Sequence, residues 1–359
     1  MNSRPQTSIS SRFEVLDWLR GLSALSVVVY HAVMPWGPHV DRLPDAEAAA
    51  SAQEWLLYIC HCGHLGVPIF FMISGYCISA AADKHRAVQH SLARYAWRRF
   101  YRIYPSYWIA LAFLGLLAIV GLCDAVQRGL TPTQWIGNLI LIEEWRPWLM
   151  PPPEKRYFLP VAWTLCYEEQ FYFLVGVLLW LCPRWLFQCL AALTAFVVLN
   201  TYNLNIGPLR QFGDLNRYHT DLSGLVCDSR WLLFASGIGV YVFVTQATAA
   251  GWRRRLRWCI PVLLALLTLW ELRQGDWYTN RFQTRVLTFS AALLLCGVQQ
   301  HDRRLTTLRG AAPLHWLGQR TYSIYLIHFP PVMGIAAIEQ GVADSLAVIY
   351  ALLYGAAGR

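Results

Sequence analysis

From residue 15 onward the chain alternates apolar runs with short polar links, and the runs approach the length that a bilayer demands. A helix needs about 20 mainly apolar residues to cross the hydrocarbon core. Such runs fall at 15–36, 65–82, 103–122, 161–181, 185–201, 230–248, 259–272, 284–299, 320–338 and 343–357. This pattern predicts an all-α, polytopic helical membrane protein of about ten spans. The two longer links, 123–160 and 202–229, carry Pro, Gly, Asn and paired charges, as surface loops do, and 135–145 is a candidate half-helix in the first. No internal repeat or low-complexity tract divides the chain, so one transmembrane domain over 1–359 is expected, with residues 1–12 as a cytoplasmic tail.

Composition strengthens the pattern. Of 359 residues, 56% are apolar and 14% charged, well below the charge of an ordinary soluble domain. The 17 Trp and 18 Tyr suit helix ends that sit at lipid interfaces. The formal net charge of +9 is concentrated at Lys84 to Arg102, Arg253 to Arg257 and Arg303 to Arg309, each between apolar runs. With the N-terminus inside, all three clusters fall on the cytoplasmic side, as the positive-inside rule requires. Their shortness and membrane flanks argue against a nucleic-acid partner. The first run follows a polar, Arg-containing tail without a small-residue cleavage site, so it is expected to remain as the first helix. Among the 10 Cys, only Cys60-His61-Cys62 with His64 is compact, and its spacing matches no standard zinc site, so no metal is expected.

Ionisable residues inside apolar runs are costly and mark candidate chemistry. Arg20 and His31 lie eleven residues apart on the first run, which places them on one helix face about 16 Å apart. Trp18 and Trp36 would mark its two interfaces, about 27 Å apart on the same rise. Spacing leaves two alternatives open, a snorkelling interface residue for Arg20 and a structural histidine for His31. In the link after the second run, Arg99 and Arg102 share a face if helical, and guanidinium forks suit phosphate oxygens. A topogenic or lipid-headgroup cluster would look the same. Glu168 and Glu169 open the fourth run and point to different faces, so at most one enters a common cavity. His328 sits in the ninth run, before a proline, where a packed histidine is equally consistent.

Five segments in order resemble the motifs of the acyltransferase-3 family of membrane O-acyltransferases. Arg20-x10-His31 looks like its first-helix pattern, and Phe70-Phe71-Met72-Ile73-Ser74-Gly75-Tyr76 its second-helix element. Arg99-x-x-Arg102, within Arg98-Arg99-Phe100-Tyr101-Arg102-Ile103-Tyr104-Pro105, resembles its cytoplasmic arginine motif. Trp163-Thr164-Leu165 through Glu168-Glu169-Gln170-Phe171-Tyr172 and Tyr322 through His328 resemble the last two elements. Thr164 stands where the family usually has Ser, and Tyr76 where it has Phe. The extracytoplasmic esterase-like domain of some members is not expected here.

The resemblance implies transfer of an acyl group, commonly acetyl, from cytoplasmic acyl-CoA to a hydroxyl of a sugar, glycolipid or polysaccharide. It implies residence in a bacterial inner membrane, among membrane lipids. It implies that His31 and Glu168 are catalytic and that Arg20, Arg99 and Arg102 hold acetyl-CoA. Asp17, Glu169, Tyr172 and His328 would then bind substrate or support the site. An imidazole has the pKa for a general base near the attacking hydroxyl. No G-x-S-x-G nucleophile motif occurs. The rival class is a transporter or flippase in which the same charges line a translocation path.

Overall fold

The structure, a computed structural model, describes residues 15–33, 51–88, 92–122, 129–202, 228–248, 251–274, 280–306 and 311–339. The run at 343–357, the tail, Trp36, most of 202–229 and the end of the third basic cluster lie outside them. Among the described residues all regular structure is helical: α1 (Val15–Val33), α2 (Ala52–His61), α3 (Gly66–Val88), α4 (Leu92–Ile119), α5 (Pro132–Leu139), α6 (Arg146–Leu149), α7 (Trp163–Leu181), α8 (Leu186–Thr201), α9 (Trp231–Thr245), α10 (Cys259–Gln274), α11 (Asn280–Val298), α12 (Ala311–Ile327) and α13 (Phe329–Glu339). By length and composition, Ala52–Arg86 and Leu92–Ile119 are each long and apolar enough to cross a membrane. Ala312–Ile327 with Phe329–Glu339 makes a third if that bent pair is one span.

Several boundaries differ from the sequence expectation, and three have a clear physical reason. The arginine segment expected in a link is instead the first turns of α4, because no breaker separates Leu92 from the apolar run and Pro105 is accommodated inside the helix. The run at 320–338 is broken at His328 with a 45° bend. Pro330 and Pro331 follow the break; neither has an N–H to continue the helical ladder. The half-helix expected over 135–145 is instead Pro132–Leu139, beginning early because Thr131 and Gln134 form a capping box and proline suits the first turn, and giving way to turns over 140–145.

The distribution of polarity is inverted relative to a water-soluble bundle. Leu22, Leu25 and Val29 of α1 and Val262, Leu263, Leu266, Leu269 and Trp270 of α10 are exposed. Asp17, Glu168, Gln170, Glu271 and Thr288 are buried. Faces of this kind suit lipid outside and polar contacts within.

Small residues let the central helices touch backbone to backbone, the mode of packing available where lipid removes the hydrophobic drive. A Cβ on Gly318 of α12 would lie 2.1 Å from the Asp17 carbonyl of α1. One on Gly237 of α9 would lie 1.8 Å from the Met72 carbonyl of α3. Thus α1 is held against α12 on one side, and α3 against α9.

The segment 129–162 is tied down by a buried polar knot. Arg146 forks onto Glu143 (Nε to Oε2 2.7 Å, Nη2 to Oε1 3.0 Å) and donates to the carbonyls of Met150, Pro152 and Glu154. All five guanidinium donors are therefore used. Beside it, Glu144 accepts from Lys155 Nζ at 2.6 Å and the Tyr157 hydroxyl at 2.5 Å. Burial, with Cys166 and Glu144 adding to it, pushes the Tyr157 phenol well above its usual range.

Candidate active site

Two helix faces meet along a polar ladder. On α7, Thr164, Glu168 and Tyr172 recur every four residues and so share a face. Opposite them, Tyr322 and Tyr325 of α12 and His328 at the break recur every three. The Thr164 and Tyr325 hydroxyls are 2.8 Å apart. Above that rung, Glu168 Oε1 accepts from Ser74 of α3 at 2.6 Å, from Tyr322 at 2.6 Å and from Tyr172. Each of these three hydroxyls donates to the same carboxyl oxygen. The cluster draws on α3, α7 and α12, and its donors offset the cost of burying a polar carboxyl group.

The α4 arginines stand against the same tyrosines. The Arg99 guanidinium carbon lies 4.8 Å from the Tyr172 ring centre and 5.6 Å from that of Tyr95. That of Arg102 lies 4.7 Å from the Tyr322 ring centre. The one-face expectation for this pair therefore holds, while Arg94 and Arg98 are exposed. Arg20 donates to Asp17 Oδ1 at 3.3 Å and to the Cys77 sulfur at 3.0 Å, so it is held between α1 and α3. Its side chain is 13% exposed, which disfavours the snorkelling alternative.

His31 and His328 form a pair, with His31 Nδ1 3.1 Å from His328 Nε2. Backbone carbonyls favour one tautomer of each ring. His31 Nδ1 is 3.0 Å from the Val27 carbonyl, and His328 Nδ1 is 3.2 Å from that of Ile324. A carbonyl only accepts, so in the neutral rings both Nδ1 atoms are protonated. His328 Nε2 then offers a lone pair to the His31 Nδ1–H. The lone pair of His31 Nε2 is left without a hydrogen bond among the described residues. Phe329 and Tyr30 pack edge-on against the His31 ring at 5.4 and 5.0 Å.

The structure thus gathers Glu168, Tyr172, Arg99 and Arg102 in one cluster and His31 with His328 in a second. Tyr325 stands between them, its ring 5.9 Å from that of His328. Asp17 belongs with Arg20. Glu169 makes no hydrogen bond to the groups around Glu168 among the described residues, and its Oε1 is buried without a hydrogen-bond partner. Sequence reading placed Ser74, Thr164, Tyr322 and Tyr325 within the family motifs but gave them no role, and it passed over Cys77. The threefold spacing of Tyr322, Tyr325 and His328 was the available signal for three polar groups on one face.

The Cys60–His64 segment turns its imidazoles inward. His61 Nδ1 donates to Leu57 and His64 Nδ1 to the His61 carbonyl, both beside Tyr30. Among the described residues no three His, Cys, Asp or Glu side chains gather as metal ligands.

Apolar outer faces around buried carboxylate, guanidinium and imidazole groups define a helical membrane protein with an ionisable interior. More specifically, the acyltransferase-3 family model, described as an acyltransferase domain, matches residues 13–357, and the chain belongs to that family. It is similar to the peptidoglycan O-acetyltransferase OatA of Listeria monocytogenes, at 23% identity over 88% of this chain and 48% of the relative. It is also similar to YrhL of Bacillus subtilis, provisionally named a peptidoglycan O-acetyltransferase, at 24% over 90% and 49%. A provisionally named O-acetyltransferase of Staphylococcus aureus is 23% identical over 88% and 50%. The chain spans about half the length of these curated relatives. No solved structure matches it.

Proposed function

We propose that this protein moves an acetyl group from cytoplasmic acetyl-CoA to a hydroxyl of an envelope or secreted glycan. The acceptor hydroxyl gives its proton to His31 Nε2 as its oxygen bonds to the thioester carbonyl carbon. The carbon–sulfur bond then breaks, and the departing thiolate takes the proton from His31. Glu168, with its hydroxyl partners, orients the acceptor, and Arg20, Arg99 and Arg102 hold the phosphates of the donor, as guanidinium forks do well. Asp17, Glu169 and Tyr172 support these groups. The ten-span arrangement with both ends inside puts the α4 arginines on the cytoplasmic side, where acyl-CoA resides. The relatives' names support a glycan acceptor.

The observation that carries this reading is the contact of both Nδ1 atoms with backbone carbonyls, which favours the tautomer that leaves His31 Nε2 with a free lone pair. Purified protein in lipid should release CoA thiol and form an alkali-labile acetyl ester on a glycan fragment. His31→Ala should lower kcat by about 10²–10⁴, the reach of general-base catalysis, with donor affinity nearly intact. Near-normal turnover in that variant would show that the base is elsewhere.

A further inference from the structure

We infer that His328 is a positioning residue for His31, acting through its Nε2 lone pair in the way a carboxylate serves the histidine of a hydrolase triad. This rests on His31 being the base.

The inference comes from three contacts and the tautomers they favour. The Ile324 carbonyl takes the Nδ1–H of His328, which forces the His328 Nε2 to present a lone pair. That lone pair lies 3.1 Å from His31 Nδ1, whose proton is already directed inward by the Val27 carbonyl. The His31 Nδ1–H is therefore shared by two acceptors, one on its own helix and one across the interface. Val27 alone would select the same tautomer, but it lies on α1 and moves with that helix. His328 adds an anchor from a different element, so the ring plane of His31 is fixed relative to α12 as well.

The two acceptors differ once His31 takes a proton at Nε2. The ring is then a cation, and a hydrogen bond to a charged group is worth more than one between neutral groups. His328, neutral and accepting, stabilises that cation where it forms and needs no rearrangement to do so. The break between α12 and α13 is what makes this possible. His328 sits between the two helical segments, its N–H donating to the Ile324 carbonyl at 3.2 Å and its carbonyl accepting from Val332 at 3.3 Å, while Pro330 and Pro331 remove the two rungs between.

The test compares His328→Gln, whose amide oxygen supplies an acceptor of similar reach, with His328→Leu, which supplies none. Both would be inserted in lipid at matched amounts and checked for unfolding temperature and acetyl-CoA binding. The expected result is a kcat lowered about 10- to 100-fold in His328→Leu, with the donor KM unchanged and kcat largely restored in His328→Gln. Wild-type kcat in His328→Leu, or equal loss in both variants at unchanged KM, overturns the inference. If His328→Leu does not fold, nitrogen-15 spectra of the histidine rings in the wild-type protein still decide. Both rings should be protonated at Nδ1 and bare at Nε2, and an Nε2-protonated His31 overturns the inference. His31→Ala measured alongside separates the two readings: full turnover there removes the base itself, whereas failure of the His328 variants alone leaves His31 as the base.

Discussion

Tyr322 donates to Glu168 at 2.6 Å while the Arg102 guanidinium lies 4.7 Å from its ring centre. One phenol thus joins a carboxylate on α7 to a cation on α4, from a position on α12. Tyr172 does the same for Glu168 and Arg99. Groups joined in this way are expected to be energetically coupled.

That coupling is measurable. Tyr322→Phe removes the donor but keeps the ring, and Arg102→Ala removes the cation. Contacting groups in one network show interaction energies of about 0.5–3 kcal/mol. The double variant should therefore lose less stability and less donor affinity than the sum of the single losses. Strict additivity in thermal unfolding would mean that the phenol does not link the two.

The adjacent acids should behave oppositely. Glu168→Ala leaves the Ser74, Tyr172 and Tyr322 hydroxyls without their acceptor, and each buried unsatisfied group costs about 1–3 kcal/mol. Glu169 carries a buried oxygen with no hydrogen bond, so Glu169→Gln should be neutral or stabilising. Unfolding temperatures in detergent would rank Glu168→Ala well below wild type and Glu169→Gln at or above it. Equal losses would show that the cluster around Glu168 carries no special weight.

Much of this was legible because apolar periodicity is a strong signal and because lipid makes every internal charge conspicuous. The observed bounds of α7, α8 and α10 stay within two residues of the runs that predicted them. Arg99 and Arg102 were correctly placed on one face, yet their helix was assigned to a link, since basic residues suppress hydropathy without breaking a helix. The one-sided character of Glu168 against Glu169 also followed from the 100° step. What the sequence could not supply was the partner across the interface. Ser74 to Glu168 spans 94 positions and His31 to His328 spans 297, and such pairings depend on tertiary packing. The Glu143–Arg146 knot looked like ordinary loop charge, because nothing local announces that a loop will be buried.

Helix contact offers a sharp contrast. Gly237→Ala would place a methyl 1.8 Å from the Met72 carbonyl, so α3 and α9 must separate. Gly297, on α11, has nothing within 4 Å of the place a Cβ would take. Gly297→Ala should be neutral or gain up to about 1 kcal/mol from helix propensity. Gly237→Ala should lower the unfolding temperature and activity together. Comparable stability of the two variants would contradict the close approach of α3 and α9.

The loop knot makes a prediction about charge. Both side chains of the Glu143–Arg146 pair are fully buried. Arg146→Met strands the Glu143 carboxylate, and breaking a buried pair from one side costs about 3–5 kcal/mol. Adding Glu143→Gln removes the stranded charge and should recover part of that loss. A double variant less stable than Arg146→Met would show that the carboxylate has other support, the Arg156 amide at 2.9 Å being the first to examine.

Arg20 separates binding from catalysis. Its guanidinium spans Asp17 on its own helix and the Cys77 sulfur on α3, while His31 lies about three turns along the same face. An acyl-CoA is built to the same plan, with phosphates at one end, the thioester at the other and the pantetheine arm between them. If the helix measures that length, Arg20→Ala should raise the donor KM and leave kcat nearly unchanged, the signature of lost uniform binding. Arg20→Lys should restore only part of the affinity, because a point charge replaces the fork. Removing Arg20 also takes the guanidinium from the buried Asp17, so Arg20→Ala is best compared with Arg20→Ala/Asp17→Asn, which discharges that carboxylate. If the second change restores folding yield but the donor KM stays high, Arg20 serves the donor. If it restores both, the arginine only neutralises Asp17, and the phosphates are held by Arg99 and Arg102 alone.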